Sequence, residues 1–402
     1  MFSHVDAYPG DPILGLNEAF GHDPRAHKVN LSIGIYFDDD GRLPVMRAVR
    51  EAEAAVLADI GPRPYLPMAG TPAYRDAVQA LVFGEACAAR RERRVATLQT
   101  LGGGGALRVG ADFLKRYFPD STVWISDPSW DNHRVVFESA GFPVQAYPYY
   151  DDATGGLRFD AMLDTLASLP RHSIVLLHAC CHNPTGVDLT PAQWQTLVPV
   201  LHERGLIAFV DMAYQGFGDG LDADAFAVRA LTDAGVPTVV ANSFSKNFSL
   251  YGERCGALSV VCATADEASR VFGQLTGTVR ANYSNPPTHG ARLVAQVLTT
   301  PALRRAWEEE LEGMRTRIAT MRAQIHARLA PHVSGEALSR YIAQRGMFTY
   351  TGLSAAQADA LRETHGVYVL RSGRMCVAGL NTRNVDTVAQ AIAQVLTTVD
   401  AS

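Results

Sequence analysis

Between about residue 95 and residue 262 short apolar runs alternate with helix-patterned stretches, and this alternation restricts the fold more than any other feature of the chain. Runs this short read as strands covered on both faces, with intervening helices returning the chain so that successive strands lie parallel. The expected strands are Val95 to Leu101, Val123 to Ser126, Ser173 to His178, Leu206 to Asp211, Thr238 to Asn242 and Ala257 to Cys262. The fold class is therefore α/β, a mostly parallel sheet wrapped by helices. Open sheets of this kind collect ligands beyond their C-terminal strand ends, and Asp127, Asp211 and Lys246 lie at or just past such ends. Further on, Trp307, Leu311, Met314, Ile318, Met321, Ile325 and Leu329 recur at intervals of three and four, which predicts one long amphipathic helix ended by Pro331 and linking two domains. Met347 to Tyr350 and Val367 to Leu370 are strand candidates in a smaller α+β unit, which residues 11–43 join.

A chain of 402 residues is too long for a single compact core, in keeping with two domains. Its hydrophobic content of 47% and charged content of 19% are ordinary for a globular protein, and no apolar run is long enough to span a bilayer, so a soluble protein without a membrane partner is expected. The N-terminal residues Met1 to Ala7 carry neither a basic segment nor an apolar signal core, which makes the cytoplasm the expected location. A formal net charge of -5 without a long basic block offers nothing to nucleic acid. The six cysteines are scattered, and the adjacent Cys180 and Cys181 fit neither a zinc spacing nor a CxxC pair, so they read as buried thiols and no metal is expected.

The segment Ser243-Phe244-Ser245-Lys246 sets one lysine among hydroxyls just past a buried strand, with Arg254 eight residues on. That grouping suits a lysine that bonds covalently to a cofactor beside a phosphate; a lysine snorkelling at a strand end is the plainer alternative. Four glycines, Gly102 to Gly105, follow a strand and open a helical pattern, so backbone N–H groups gather at a helix N-terminus without side chains in the way. Alone they are equally a flexible turn, whereas with Ser243, Ser245 and Arg254 they make a phosphate cradle. Asp211 at a strand end suits a cationic partner such as a protonated pyridine nitrogen, or simply caps the next helix. Asn183 and Tyr214 can donate to an oxygen on that ring, Trp130 can stack on it, and His133 can stand behind Asp211; singly, each is also a turn or core residue.

Taken in order, these motifs resemble class I, fold-type I pyridoxal-phosphate aminotransferases of the aspartate and aromatic amino-acid group, nearest to its bacterial tyrosine (aromatic) branch. The resemblance runs from Asp6-Ala7-Tyr8-Pro9-Gly10-Asp11-Pro12-Ile13-Leu14 to Gly373-Arg374-Met375-Cys376-Val377-Ala378-Gly379-Leu380-Asn381. It implies an N-terminal arm over 1–10, a small domain of 11–43 and 314–402, and a large cofactor-binding domain over 44–313. By position, Lys246 matches the lysine that carries pyridoxal 5'-phosphate and moves the proton, Asp211 the partner of the pyridine nitrogen, and Asn183 and Tyr214 the partners of the ring hydroxyl. Trp130 matches the stacking ring, and Gly103, Gly104, Ser243, Ser245 and Arg254 the phosphate cup. Arg374 matches the arginine for the substrate α-carboxylate. Arg280 matches one that reaches a distal carboxylate in the neighbouring subunit, and Tyr65 a tyrosine that crosses to the partner's phosphate, so a homodimer with shared sites is implied. Gly34 and Phe348 match positions at the substrate end.

The same resemblance implies a ping-pong transfer of the amino group from tyrosine, phenylalanine or aspartate to 2-oxoglutarate. Arg280 favours dicarboxylates. Ile35, Phe37 and Leu43 stand where aromatic enzymes of the group are apolar, while Asn285 matches the aspartate-specific members. Gly104 departs from the group's usual serine or threonine, a loss of one hydroxyl contact to phosphate. The alternatives are an aspartate-specific enzyme, a lyase or decarboxylase on the same cofactor, and a non-catalytic aminotransferase-like binding module.

Overall fold

The structure is a computed structural model, and it describes residues 1–8, 10–59, 61–333 and 335–398. Pro9 of the N-terminal motif, Ile60, Ser334 and residues 399–402 at the end of the expected small domain lie outside the described residues. Two compact units divide the chain, residues 44–317 in one and residues 1–43 with 318–402 in the other.

The larger unit is built on a seven-stranded sheet of β1 (Val95–Leu101), β2 (Val123–Asp127), β3 (Val144–Pro148), β4 (Ile174–His178), β5 (Ile207–Met212), β6 (Thr238–Ser243) and β7 (Cys255–Val261). In space the order is β1-β7-β6-β5-β4-β2-β3. The pairs from β6 across to β3 are parallel, and β7 runs antiparallel to both of its neighbours. Every residue of β4, β5, β6 and β7 is buried, which is why these strands are nearly unbroken apolar runs in the sequence. The edge strand β3 was not expected. Gln145 and Ala146 are both exposed between buried Val144 and Tyr147, so it carries no continuous apolar run.

Helix α1 (Gly102–Tyr117) leaves β1 at once, and Ala106, Leu107, Val109, Ala111, Phe113 and Leu114 bury one face of it. Lys115 and Arg116 in its last turn complement the negative end of the helix dipole. Val239 and Ala241 of β6 and Leu258 and Val260 of β7 belong to the same apolar cluster as this face. Helix α2 (Ala265–Asn282) is capped by Thr264, whose hydroxyl accepts the Glu267 N–H. Helix α3 (Pro301–Leu329) is the long helix the periodicity predicts. All seven of its spaced apolar residues are buried, and the division between the two units falls within it.

In the smaller unit Val29–Asn30 pairs in parallel with Val367–Tyr368, and Phe348–Tyr350 pairs antiparallel with Arg374–Cys376. The first of the two expected strands loses one residue and the second stops at Tyr368; Arg374–Cys376, too short to leave a periodic signature, was not expected as a strand. Buried Arg322 donates to the carbonyls of Tyr341, Gly346 and Phe348 and to the Thr349 hydroxyl, fixing the strand that carries Phe348. Among the described residues no helix is long and apolar enough to cross a membrane.

Candidate active site

Four loops at one edge of the large sheet carry most of the expected chemistry. Asp211 is the fifth residue of β5, in register with His178 on β4 and Ala241 on β6. Its carboxylate accepts from His133 Nε2 at 2.9 Å, and the other nitrogen of that ring lies 2.9 Å from the Ser129 hydroxyl. The ligand atoms of His133, His178 and Asp211 all lie within 4.8 Å of one another. Burial pulls the Asp211 carboxyl upward, but the His133 hydrogen bond and the neighbouring His133, His178 and Lys246 outweigh it and hold the group below its usual value. An ionised carboxylate is thus kept in a dry place, a setting that favours a cation above it.

His178 and His182, which the sequence reading did not single out, extend this cluster. Burial, then His133, push the His178 imidazole down to about 3, and burial holds His182 well below its usual value, so both are neutral at pH 7. His182 lies 2.9 Å from the Ser126 hydroxyl and 2.8 Å from that of Thr185, and its ring stacks on Tyr149 at 4.1 Å. These bonds clamp to the sheet the loop in which Asn183 is buried. The available signal was His178 at the end of an expected strand, as Asp211 is.

Lys246 follows β6, half-buried, with its Nζ 5.1 Å from the centre of the buried Tyr214 ring. Trp130 directly precedes the helix Asp131–Ser139, and its ring meets that of His133 edge-on at 5.2 Å. A cup lies beside the lysine. The Ser243 hydroxyl donates to the Ser245 hydroxyl at 3.2 Å and accepts the Ser245 N–H at 3.2 Å, and Arg254 Nη1 stands 3.5 Å from the Ser245 hydroxyl. The Gly102 N–H donates to the Arg254 carbonyl at 2.9 Å. No side chain caps α1, because Leu101 holds the cap position.

Glycine is required where the cup is tightest. Gly102 has φ +67°, and a Cβ there would stand 2.7 Å from Arg254 Nη2; one at Gly103 would stand 3.1 Å from Ser243 Cβ. A Cβ at Gly104 meets nothing within 4 Å. An uncapped helix N-terminus, two hydroxyls, a guanidinium and a space that side chains would fill suit a phosphate, and the buried Asp211 carboxylate suits a protonated ring nitrogen. The residues present therefore fit pyridoxal phosphate.

The match to known proteins agrees with this geometry. Residues 26–392 match the family model for aminotransferase class I and II. The chain belongs to that family. This aminotransferase is 57% identical over 397 residues to the aromatic-amino-acid aminotransferase of Escherichia coli (strain K12), covering 98% of this chain and 100% of that one. It is similar, at 70% identity and a TM-score of 0.95, to an aromatic amino acid aminotransferase from Burkholderia cenocepacia J2315, covering 98% and 99% of the two chains. A third comparison is the aromatic-amino-acid aminotransferase from Burkholderia pseudomallei covalently bound to pyridoxal phosphate, at 53% identity and a TM-score of 0.96 over 98% and 99% of the chains.

The remaining expected residues of the aminotransferase fall into two groups. Within the smaller unit, buried Arg374 donates to the Ser32 carbonyl at 2.7 Å, and its guanidinium lies 4.4 Å from the Phe348 ring centre. A Cβ on Gly34 would stand 2.9 Å from the edge of that ring, Ile35 and Phe37 are half-buried, and Leu43 is exposed. Within the larger unit, Tyr65 is 92% exposed and Arg280 is exposed at the end of α2. They share a neighbourhood: Arg280 donates to the Ser284 hydroxyl, which donates to Asn285 Oδ1, and Asn285 Nδ2 donates to the carbonyl of Leu66 at 2.8 Å. Asn285 thereby ties the segment of Tyr65 to that of Arg280.

Proposed function

We propose that this pyridoxal-phosphate transaminase moves the amino group of tyrosine, phenylalanine or aspartate to 2-oxoglutarate, and does so as a homodimer. What carries the reading is one sheet edge where Lys246, the ionised Asp211 and an anion cup follow neighbouring strands, in a chain of the aminotransferase family. Pyridoxal phosphate supplies, when bound, an aldehyde that captures amines and a ring that draws off the electrons of a broken Cα–H bond. Gly103, Gly104, Ser243, Ser245 and Arg254 would hold its phosphate, Asp211 would keep a proton on its ring nitrogen, Asn183 and Tyr214 would donate to its ring oxygen, and Trp130 would stack on its ring. The Lys246 amine takes the proton from the substrate Cα and returns it on the other side of the transfer. Donor and acceptor bind in turn, which gives ping-pong kinetics.

Residues 44–313 form the cofactor-binding domain in this reading, 11–43 and 314–402 the small domain, and 1–10 an arm. Arg374 holds the α-carboxylate of either substrate, with Phe348 and Gly34 shaping its surroundings. Arg280 of the partner subunit reads a distal carboxylate, and its exposure together with that of Tyr65 supports a shared site. Apolar Ile35, Phe37 and Leu43 favour an aromatic side chain, whose burial stabilises the complex by about 2 kcal/mol. The test compares kcat/KM for aspartate, tyrosine and phenylalanine, with 2-oxoglutarate as acceptor, in the parent enzyme and in Arg280→Ala. The parent turns over all three. The variant loses about a hundredfold on aspartate and less than about fivefold on phenylalanine. Turnover of aspartate alone sinks the dual reading in favour of the aspartate-specific one, and equal losses refute the role of Arg280.

A further inference from the structure

Two loops of the larger unit carry side chains that the proposed chemistry uses, Tyr214-Gln215-Gly216 after β5 and Lys246-Asn247-Phe248 after β6. They are joined to each other and to α3 by buried hydrogen bonds. Asn247 is fully buried; its Nδ2 donates to the Gln215 carbonyl at 3.2 Å, and its own carbonyl accepts from Trp307 Nε1 at 2.6 Å. Trp307, also fully buried, stacks on Phe248 with ring centres 4.7 Å apart and planes 27° apart.

The Tyr214 loop has little slack on its other side. Gln215 Nε2 donates to the carbonyls of Leu81 and Leu221, and the N–H groups of Gly216, Gly218 and Asp219 donate to the Asp224 carboxylate. Leu311, one turn along α3 from Trp307, closes the space beside Gly216, where an added Cβ would run into it. A buried indole N–H needs an acceptor, but any carbonyl satisfies that need. Here the acceptor is the carbonyl of the residue next to Lys246, and that residue's carboxamide holds the carbonyl next to Tyr214.

We propose that Trp307 is a positioning residue for Lys246: its N–H pins the Asn247 main chain to α3, and the Asn247 carboxamide passes that constraint to the Tyr214 loop, so the lysine amine and the phenol keep one mutual placement. This rests on the reading of Lys246 as the cofactor lysine. A displacement on the order of 1 Å at a proton-moving group costs up to about a hundredfold in rate, so a loosened anchor is visible in catalysis before it is visible in folding.

The experiment uses the holoenzyme and reads the pH midpoint of the visible band of the lysine-bound cofactor, kcat and KM, and the thermal midpoint of the cofactor-free protein. Trp307→Phe keeps a stacking ring and loses the N–H. Its expected effect is a shift of the absorbance midpoint by about 0.3 pH unit or more, with kcat about three- to tenfold lower and KM nearly unchanged. Phe248→Leu removes the stack and leaves the N–H bond; it lowers the thermal midpoint without moving the absorbance midpoint. Should Trp307→Phe not fold, Asn247→Ser, which cuts the bond to Gln215, is expected to move the absorbance midpoint as well. An unmoved midpoint in the folded variant that lacks the bond, or an equal shift in Phe248→Leu, overturns the proposal. A parent enzyme whose visible band is not abolished by Lys246→Ala overturns instead the reading beneath it.

Discussion

At the residue scale the deciding fact is charge held in a dry place. His178 is neutral because burial presses its imidazole from the ordinary 6.5 to about 3. Between those two values the unfolded chain binds a proton there that the folded chain refuses, so stability rises with pH across the window and falls on acidification from about 6.5 toward 3. His178→Gln is therefore expected to flatten the decline in thermal midpoint between pH 7 and pH 4, measured by calorimetry at several pH values; an unchanged slope assigns the acid sensitivity elsewhere. Asp211 has the same sign in a lower window. Its carboxyl is held below 3.8 in the fold, so the stability it contributes is present above that value and lost as pH falls through the lowered one. Removing its charge in Asp211→Asn should lower kcat about a hundredfold or more, while leaving cofactor phosphate contacts intact. The identities of Lys246, Asp211 and Arg254 as chemical groups were legible in the sequence. The direction in which Asp211 titrates was not, because it depends on His133 and His178, which reach it from other elements.

At the scale of elements, α1 shows how a sequence signal becomes a site. Its four opening glycines are legible as an uncrowded helix N-terminus, but only the meeting of β1, β6 and the segment before β7 makes it a cup. Gly103→Val would press a side chain against Ser243, and cofactor affinity, measured by equilibrium dialysis, is expected to fall at least about tenfold. Gly104→Ser has the reverse expectation. With nothing within 4 Å of its Cβ, the added hydroxyl can serve the phosphate and strengthen binding by about 1 kcal/mol, close to fivefold. Looser binding in Gly104→Ser would mean that this position faces away from the phosphate. The strands at the centre of the sheet were legible because burial on both faces leaves apolar runs; β3, at the edge, was not.

Two arginines dominate at the scale of the whole molecule, and they stand in opposite settings. Arg374 is buried against Phe348 within its own unit, whereas Arg280 is exposed and bonded only to Ser284 among the described residues. An exposed arginine is a poor specificity residue in its own subunit and a good one for a neighbour. Lys246→Ala and Arg280→Ala subunits, each inactive or weak on aspartate, are expected to regain about a quarter of parental aspartate turnover when refolded together: half the dimers are mixed, and each mixed dimer holds one complete site. No regain would place Arg280 in its own subunit's site.

By itself the sequence determined the parallel-sheet class, the long helix and the residue types at the strand ends, because periodicity and glycine or proline placement are local consequences of backbone geometry. Tertiary structure alone decided which of those residues share a hydrogen bond: Asp211 with His133, Asn285 with Leu66, and Asn247 with Trp307. Such pairs join positions 60 or more apart in the chain, and their choice rests on packing and desolvation that no short stretch of residues encodes.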